Sequence, residues 1–170
     1  MRNKVFSNLG FDTFTSLEYM SNVIKTPKNW AKDNVLVGEI LAALDLTENE
    51  DYIYTISVQG HGKYPSEQVI ENPAITVLSA PTEELKWQYE YYVNQIYEMD
   101  KFVKNLTAEL EKRDEKTVLV MYGDHLPALD MTEEERSFLG KLIESAVYDD
   151  YDLLVQLCDA LALPTGFCIL

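Results

Sequence analysis

Cysteine is scarce in this sequence. The 170 residues contain only Cys158 and Cys168, with neither the CxxC spacing of a zinc site nor the density of a disulfide scaffold. Cys158 falls in an apolar helical pattern and reads as a core residue. Basic residues are few as well: 14 Lys and Arg stand against 29 Asp and Glu, for a formal charge of -15. Such a balance repels a phosphate backbone and supplies no cationic stripe for counterion release, which argues against nucleic acid as a partner. Long apolar runs are missing too. Met1-Arg2-Asn3-Lys4 leads into polar sequence, so the chain as written is expected to carry no export signal and no membrane span.

What is present suits a single core. A hydrophobic fraction of 46%, with 11 Tyr, 6 Phe and 2 Trp, supplies the apolar surface that a domain of about 150 residues buries. Residues 1–31 are aromatic and turn-rich and read as an irregular, partly packed segment ending at Thr26-Pro27-Lys28-Asn29-Trp30, where the proline breaks any helix. From residue 33 the positions Val35, Leu36, Ile40, Leu41 and Leu44 recur at helical spacing, which predicts a helix over 33–45 with Asp33 or Asn34 as its cap.

DYIYTISVQ, residues 51–59, is β-branched, aromatic and apolar on both alternating faces. That composition predicts a strand covered on two sides. It runs into Gly60-His61-Gly62, whose glycines allow a tight turn and a close approach to a ligand. Leu85, Tyr89, Tyr92, Ile96, Met99, Val103, Leu106 and Leu110 then step by four and three, predicting a long helix over about 83–113. TVLVMY, residues 117–122, reads as a second buried strand, and it leads into Gly123-Asp124-His125. Strand, helix, strand is a βαβ unit, so the two strands are expected to be parallel and right-handed in crossover. Thr132-Glu133-Glu134-Glu135 has capping-box spacing for a helix to about residue 145, and a further helical pattern covers 150–163. The expected fold class is α/β, one domain with a βαβ core at 32–129 and C-terminal helices at 130–170.

Parallel strands deliver their carboxyl ends to one edge, where ligands bind in open α/β folds. His61 and Asp124-His125 should meet there, and they include both histidines of the chain. A carboxylate with an imidazole suits a borderline divalent metal such as Zn²⁺ or Mn²⁺. Adjacent ligands can reach one ion only if the chain turns there, as Gly123 and Pro127 permit.

The segments NLGFDTFTSLEYM, TISVQGHGKYP, YEYYVNQIYEMDKFV and TVLVMYGDHLPAL resemble the lipoteichoic-acid synthase family of phosphoglycerol transferases, within the sulfatase and alkaline-phosphatase superfamily. The resemblance runs from about Arg2 to Leu129 and more weakly to Phe167. It implies that Asp124 and His125 are metal ligands for Mn²⁺, or else Zn²⁺ or Mg²⁺. It also implies that His61 contacts the substrate phosphate and that Arg2 matches the arginine of the family's N-R-[ND] segment, with Met1 in place of the usual asparagine. The implied fold is alkaline-phosphatase-like and partial. The implied partner is a phosphoglycerol-type lipid head group or polymer, at the extracellular face of the cytoplasmic membrane.

Two departures qualify the resemblance. Nothing here resembles the family's threonine nucleophile and glutamate ligand, which lie upstream of the matched segments, and the later strand of the YxTxYVIW kind is replaced by acidic helices. The chain alone is therefore expected to be inactive, to bind metal weakly, and to self-associate through core surface left uncovered. A sulfatase or phosphodiesterase of the same superfamily and a non-catalytic truncated paralogue are the alternative readings.

Overall fold

The computed structural model describes residues 2–123, 125, 127–129 and 132–134. The helix expected over 150–163, all of the one expected over 132–145 beyond residue 134, and both cysteines lie outside them. The described chain is organised on three helices: α1 (Arg2–Asn8), α2 (Val35–Leu44) and α3 (Glu83–Leu110), with a short 3-10 turn at Leu17–Tyr19. The N-terminal segment is thus less irregular than its turn-rich composition suggests. Phe6 on α1 stacks on Phe14 at 5.4 Å, meets Phe11 edge-on at 5.5 Å and reaches Tyr54 at 5.9 Å. These ring contacts, each worth about 0.5–1.5 kcal/mol beyond area burial, give a seven-residue helix a tertiary anchor.

α3 begins where the sequence says it should. Thr82 is extended, its hydroxyl accepts from the Leu85 N–H at 3.2 Å, and Glu83 and Glu84 occupy the first turn, an N-cap with favourable charge on the helix dipole. At its C-terminal half Phe102, Val103, Leu106 and Leu110 pack against Leu36 and Ile40 of α2. Arg113, beyond the helix end, pairs with Asp45 at 2.7 Å and so fastens the two helix ends. Asp45 in that pair is exposed and solvent screens the attraction; burial of the apolar cluster carries the contact.

The N-terminal half of α3 turns a different face inward from the one the apolar stripe predicts. Glu90, Tyr91, Asn94 and Gln95 are buried there, while Ile96 is 41% exposed. The reason is the irregular chain lying on that face, whose peptide groups need partners. The Asn94 side chain accepts from the Ile75 N–H at 3.0 Å and donates to the Ile75 carbonyl at 2.7 Å; Glu90 accepts from the Val77 N–H at 3.0 Å.

Among the described residues no strand forms, and the isolated antiparallel bridge between Lys25 and Ala31 is the one such pairing. The parallel strands expected at 51–59 and 117–122 are therefore not seen. Their apolar content is half used: Ile53, Leu119 and Met121 pack against the α2–α3 cluster, while Tyr52, Ile56 and Val118 are exposed. Apolar residues secure burial, whereas a strand also needs a neighbour about 4.8 Å away to complete its ladder. Asn34 is the cap residue of α2 yet makes no side-chain capping bond. Asp33, the other cap candidate, is engaged elsewhere.

Urea denaturation distinguishes the two faces of α3. Leu106→Ala is expected to cost about 2–5 kcal/mol and Asn94→Ala about 1–3 kcal/mol for unpaired peptide groups, whereas Ile96→Ala should change stability by about 0.5 kcal/mol or less.

Candidate functional site

The site is built on a loop and a turn. Residues 24–32 fold back on themselves: the Thr26 N–H donates to the Trp30 carbonyl and the Lys32 N–H to the Ile24 carbonyl, each at 2.8 Å, and the Asn29 N–H donates to the Thr26 carbonyl at 2.8 Å. Asn29 takes φ of 68°, a left-handed conformation that asparagine tolerates better than most residues. The loop presents Trp30. Facing it is the turn at 58–62, closed by the His61 N–H on the Val58 carbonyl at 3.1 Å.

His61 lies in contact with two rings. The Trp30 ring centroid is 4.8 Å away and the His125 ring 5.8 Å away, the latter edge-on at 89°. Both histidines are exposed, and the expected convergence of their segments is present. His61 Nδ1 lies 2.7 Å from the Gly62 carbonyl oxygen. A carbonyl can only accept, so Nδ1 carries the proton and Nε2 is the nitrogen left for a ligand.

The turn is braced from beneath. The Tyr64 hydroxyl donates to the Gly60 carbonyl at 3.1 Å. Burial, reinforced by Tyr92 and Tyr91, pushes Tyr64 up to about 12, so it remains a donor at physiological pH. A Cβ on Gly60 would come within 3.2 Å of the Met99 sulfur; the turn sits close to α3 because residue 60 has no side chain. Asp33, buried, accepts from the Ser57 hydroxyl at 2.7 Å. Burial raises its carboxyl above the ordinary range, opposed by hydrogen bonds from Ser57 and from the Gln59 and Val58 N–H groups and reinforced by Glu98.

Arg2 opens α1 at the surface. Its neighbours Asn3 and Lys4 line an open groove of about 400 Å³ together with Ser7, Asn8, Phe11 and Phe14, and the helix reaches the segment that leads to His61 through the Phe6–Tyr54 contact. Asp124 lies outside the described residues. Among the described residues no group of three or more His, Cys, Asp and Glu side chains converges as a metal site. A firm catalytic site takes three protein ligands and an open position, so the two described imidazoles do not complete one. Sequence reasoning passed over Trp30, Asp33, Gln59 and Tyr64 as parts of the site. Gln59 and Tyr64 stand in the QGHGKYP motif itself, and the position of Asp33 just before α2 gives it the local signature of a helix cap.

The sulfatase family model matches residues 1–149. The chain belongs to the sulfatase family. Members of this family are generally metal-dependent, and membership implies an alkaline-phosphatase-like α/β fold. Among curated proteins, one of Rhizobium meliloti (strain 1021) named for cyclic beta-1,2-glucan modification is 30% identical over 138 residues, covering 81% of this chain and 21% of that protein. The capsular polysaccharide biosynthesis protein RkpI of the same organism is 24% identical over 131 residues, covering 76% of this chain and 22% of that protein. This sulfatase-family chain thus spans about a fifth of the length of the curated relatives it matches. No solved structure matches it. No helix among the described residues is long and apolar enough to cross a membrane.

The raised Asp33 carboxyl has a measurable consequence. Protonated Asp33 stabilises the fold fully below the ordinary carboxyl value of 3.8, and that contribution is lost as pH rises through the raised folded value. Asp33→Asn cannot ionise, so its stability relative to the parent should increase as pH rises through this window. Thermal unfolding of both proteins between about pH 3 and about pH 7 checks the sign.

Proposed function

We propose that this chain forms part of the site of a sulfatase-family enzyme that transfers a phosphoglycerol-type group to a cell-envelope polysaccharide. The observation that carries the reading is the approach of His61 and His125, distant in sequence, to ring centroids 5.8 Å apart. The family match and the names of the relatives, one a glucan modification protein and one a capsular polysaccharide biosynthesis protein, support a carbohydrate polymer as acceptor.

In this reading His61 holds the phosphate. With Nδ1–H committed to the Gly62 carbonyl, a protonated ring donates from Nε2 to a phosphate oxygen, a charge-assisted bond stronger than a neutral one. Trp30 walls one side of the ring and restricts its rotation. Arg2 would add a second cationic donor to the same phosphoryl group. Asp124 and His125 are assigned to Mn²⁺, an arrangement in which further ligands must complete the set. The cell envelope is the corresponding location.

Titration calorimetry tests the assignments separately. Mn²⁺ should bind more weakly than about micromolar, because two ligands fall short of a firm site, and still more weakly as pH falls, because protonated imidazole cannot coordinate. Asp124→Ala should abolish that heat; unchanged binding removes Asp124 from the site. Glycerol 1-phosphate should lose about tenfold in affinity in His61→Ala, in line with the loss of one charge-assisted hydrogen bond. Incubation with a phosphoglycerol lipid and a cyclic glucan, read by mass spectrometry, separates transfer from hydrolysis: glycerol phosphate released to water alone, or release of sulfate from a sulfate ester, favours the hydrolytic members of the family.

A further inference from the structure

Beneath the two histidines lies a buried polar network. Gln59 is 1% exposed, and its amide is fully engaged. Oε1 accepts from the Asp33 N–H at 2.8 Å, while Nε2 donates to Gln95 Oε1 at 3.1 Å and to Glu98 Oε2. Glu98 in turn pairs with Lys32 at 2.7 Å. One side chain therefore joins three parts of the chain: the segment that carries Trp30, the turn that carries His61, and α3.

We propose that Gln59 is the positioning residue of this site, holding Trp30 against His61 and so setting the pose in which the imidazole meets an anionic group. The role toward an anion rests on the reading of His61 given above; the positioning itself rests on geometry alone. Trp30 lies three residues before Asp33, and His61 two residues after Gln59. Asp33 and the turn are linked through both ends of the residue: its N–H donates to Gln59 Oε1, and its carboxyl group accepts from the Ser57 hydroxyl and from the Val58 and Gln59 N–H groups. The carboxyl bonds hold Asp33 against the turn, and the bond from its N–H to the Gln59 side chain fixes the backbone direction in which the chain leaves toward Trp30. Neither Trp30 nor His61 is otherwise deeply held, since Trp30 is half-buried and His61 is exposed with glycine on both sides. Their 4.8 Å contact depends on the anchors behind them. Gln59 suits that place because an amide offers an acceptor to the loop and two donors to the helix at once. A glutamate would lose both donors and face Glu98 as a like charge.

The test uses the full chain in a Trp87→Phe background, which leaves Trp30 as its single indole. His61 ring protons are followed by NMR for the ring-current shift from Trp30, Trp30 by acrylamide quenching of its fluorescence, and helix content by circular dichroism. In Gln59→Ala the His61 resonances should move toward random-coil positions and Trp30 quenching should rise, with α3 intact. Glycerol 1-phosphate affinity should fall about tenfold, the scale on which loss of a supporting partner acts on a binding group. A lower Tm with unchanged His61 resonances and unchanged Trp30 quenching would overturn the proposal, leaving Gln59 a packing residue only. Glu98→Gln, at a half-exposed position, guards against loss of the fold: it should shift both signals in the same direction by less, and no shift in a folded Glu98→Gln would equally overturn it. If the parent binds no glycerol 1-phosphate while the spectroscopic shifts occur, the anion reading fails and the positioning stands.

Discussion

The described structure depends on the pairing of non-helical peptide groups with side chains of one helix. A buried N–H or C=O without a partner costs about 1–3 kcal/mol, and a chain that forms no ladder must find those partners elsewhere. α3 supplies them. Asn94 answers both peptide groups of Ile75, Glu90 answers the N–H of Val77, and Gln95 and Glu98 hold the amide of Gln59. One turn after another, carboxamides and carboxylates stand where an adjacent strand would otherwise offer its backbone. The apolar cluster with α2 sets where the helix lies, and the polar face sets what can lie on it.

That division explains what was legible in the sequence. Helical periodicity located α2 and α3 to within three residues at each end, because spacing, the Thr82 cap and Pro81 are local signals. Val103, Leu106 and Leu110 are core as their spacing says. The same rule misplaced Ile96 and missed Asn94 and Gln95, because an apolar stripe marks burial against apolar surface and is blind to burial against peptide groups. Strand propensity at 51–59 and 117–122 reported side chains fit for burial, and Ile53, Leu119 and Met121 are indeed packed. It could not report which backbone would pair with them.

The candidate site was legible in its chemistry and opaque in its support. Two histidines, each following an apolar run, were enough to bring His61 and His125 to attention, and their rings do meet. Trp30, Asp33 and Gln59 gave no comparable signal. A tryptophan in a turn-rich stretch, an aspartate before a helix and a glutamine at the end of an apolar run each have an ordinary local explanation, and only the three-way contact on α3 gives them a common role. The sign of the overall charge was equally uninformative here, because Lys32 and Glu98 neutralise one another at the site while the surplus acid is spread along the chain.

The length of α3 has a consequence for how order passes through the molecule. At about 1.5 Å per residue, its 28 residues form a rod about 42 Å long. Val77 leans on Glu90 and Ile75 on Asn94, the Gln59 amide on Gln95 and Glu98 just beyond them, and α2 on its last turns. The Gln59 turn is also tied directly to Asp33, at the entrance to α2, so the rod is one of two routes by which these segments share order. Fraying that begins at Thr82 must unwind past Asn94 before it can loosen Gln59, and fraying from Leu110 must first give up the apolar cluster. The middle of the rod, where the histidine turn is tied, is therefore the last part of the helix to feel disorder from either end.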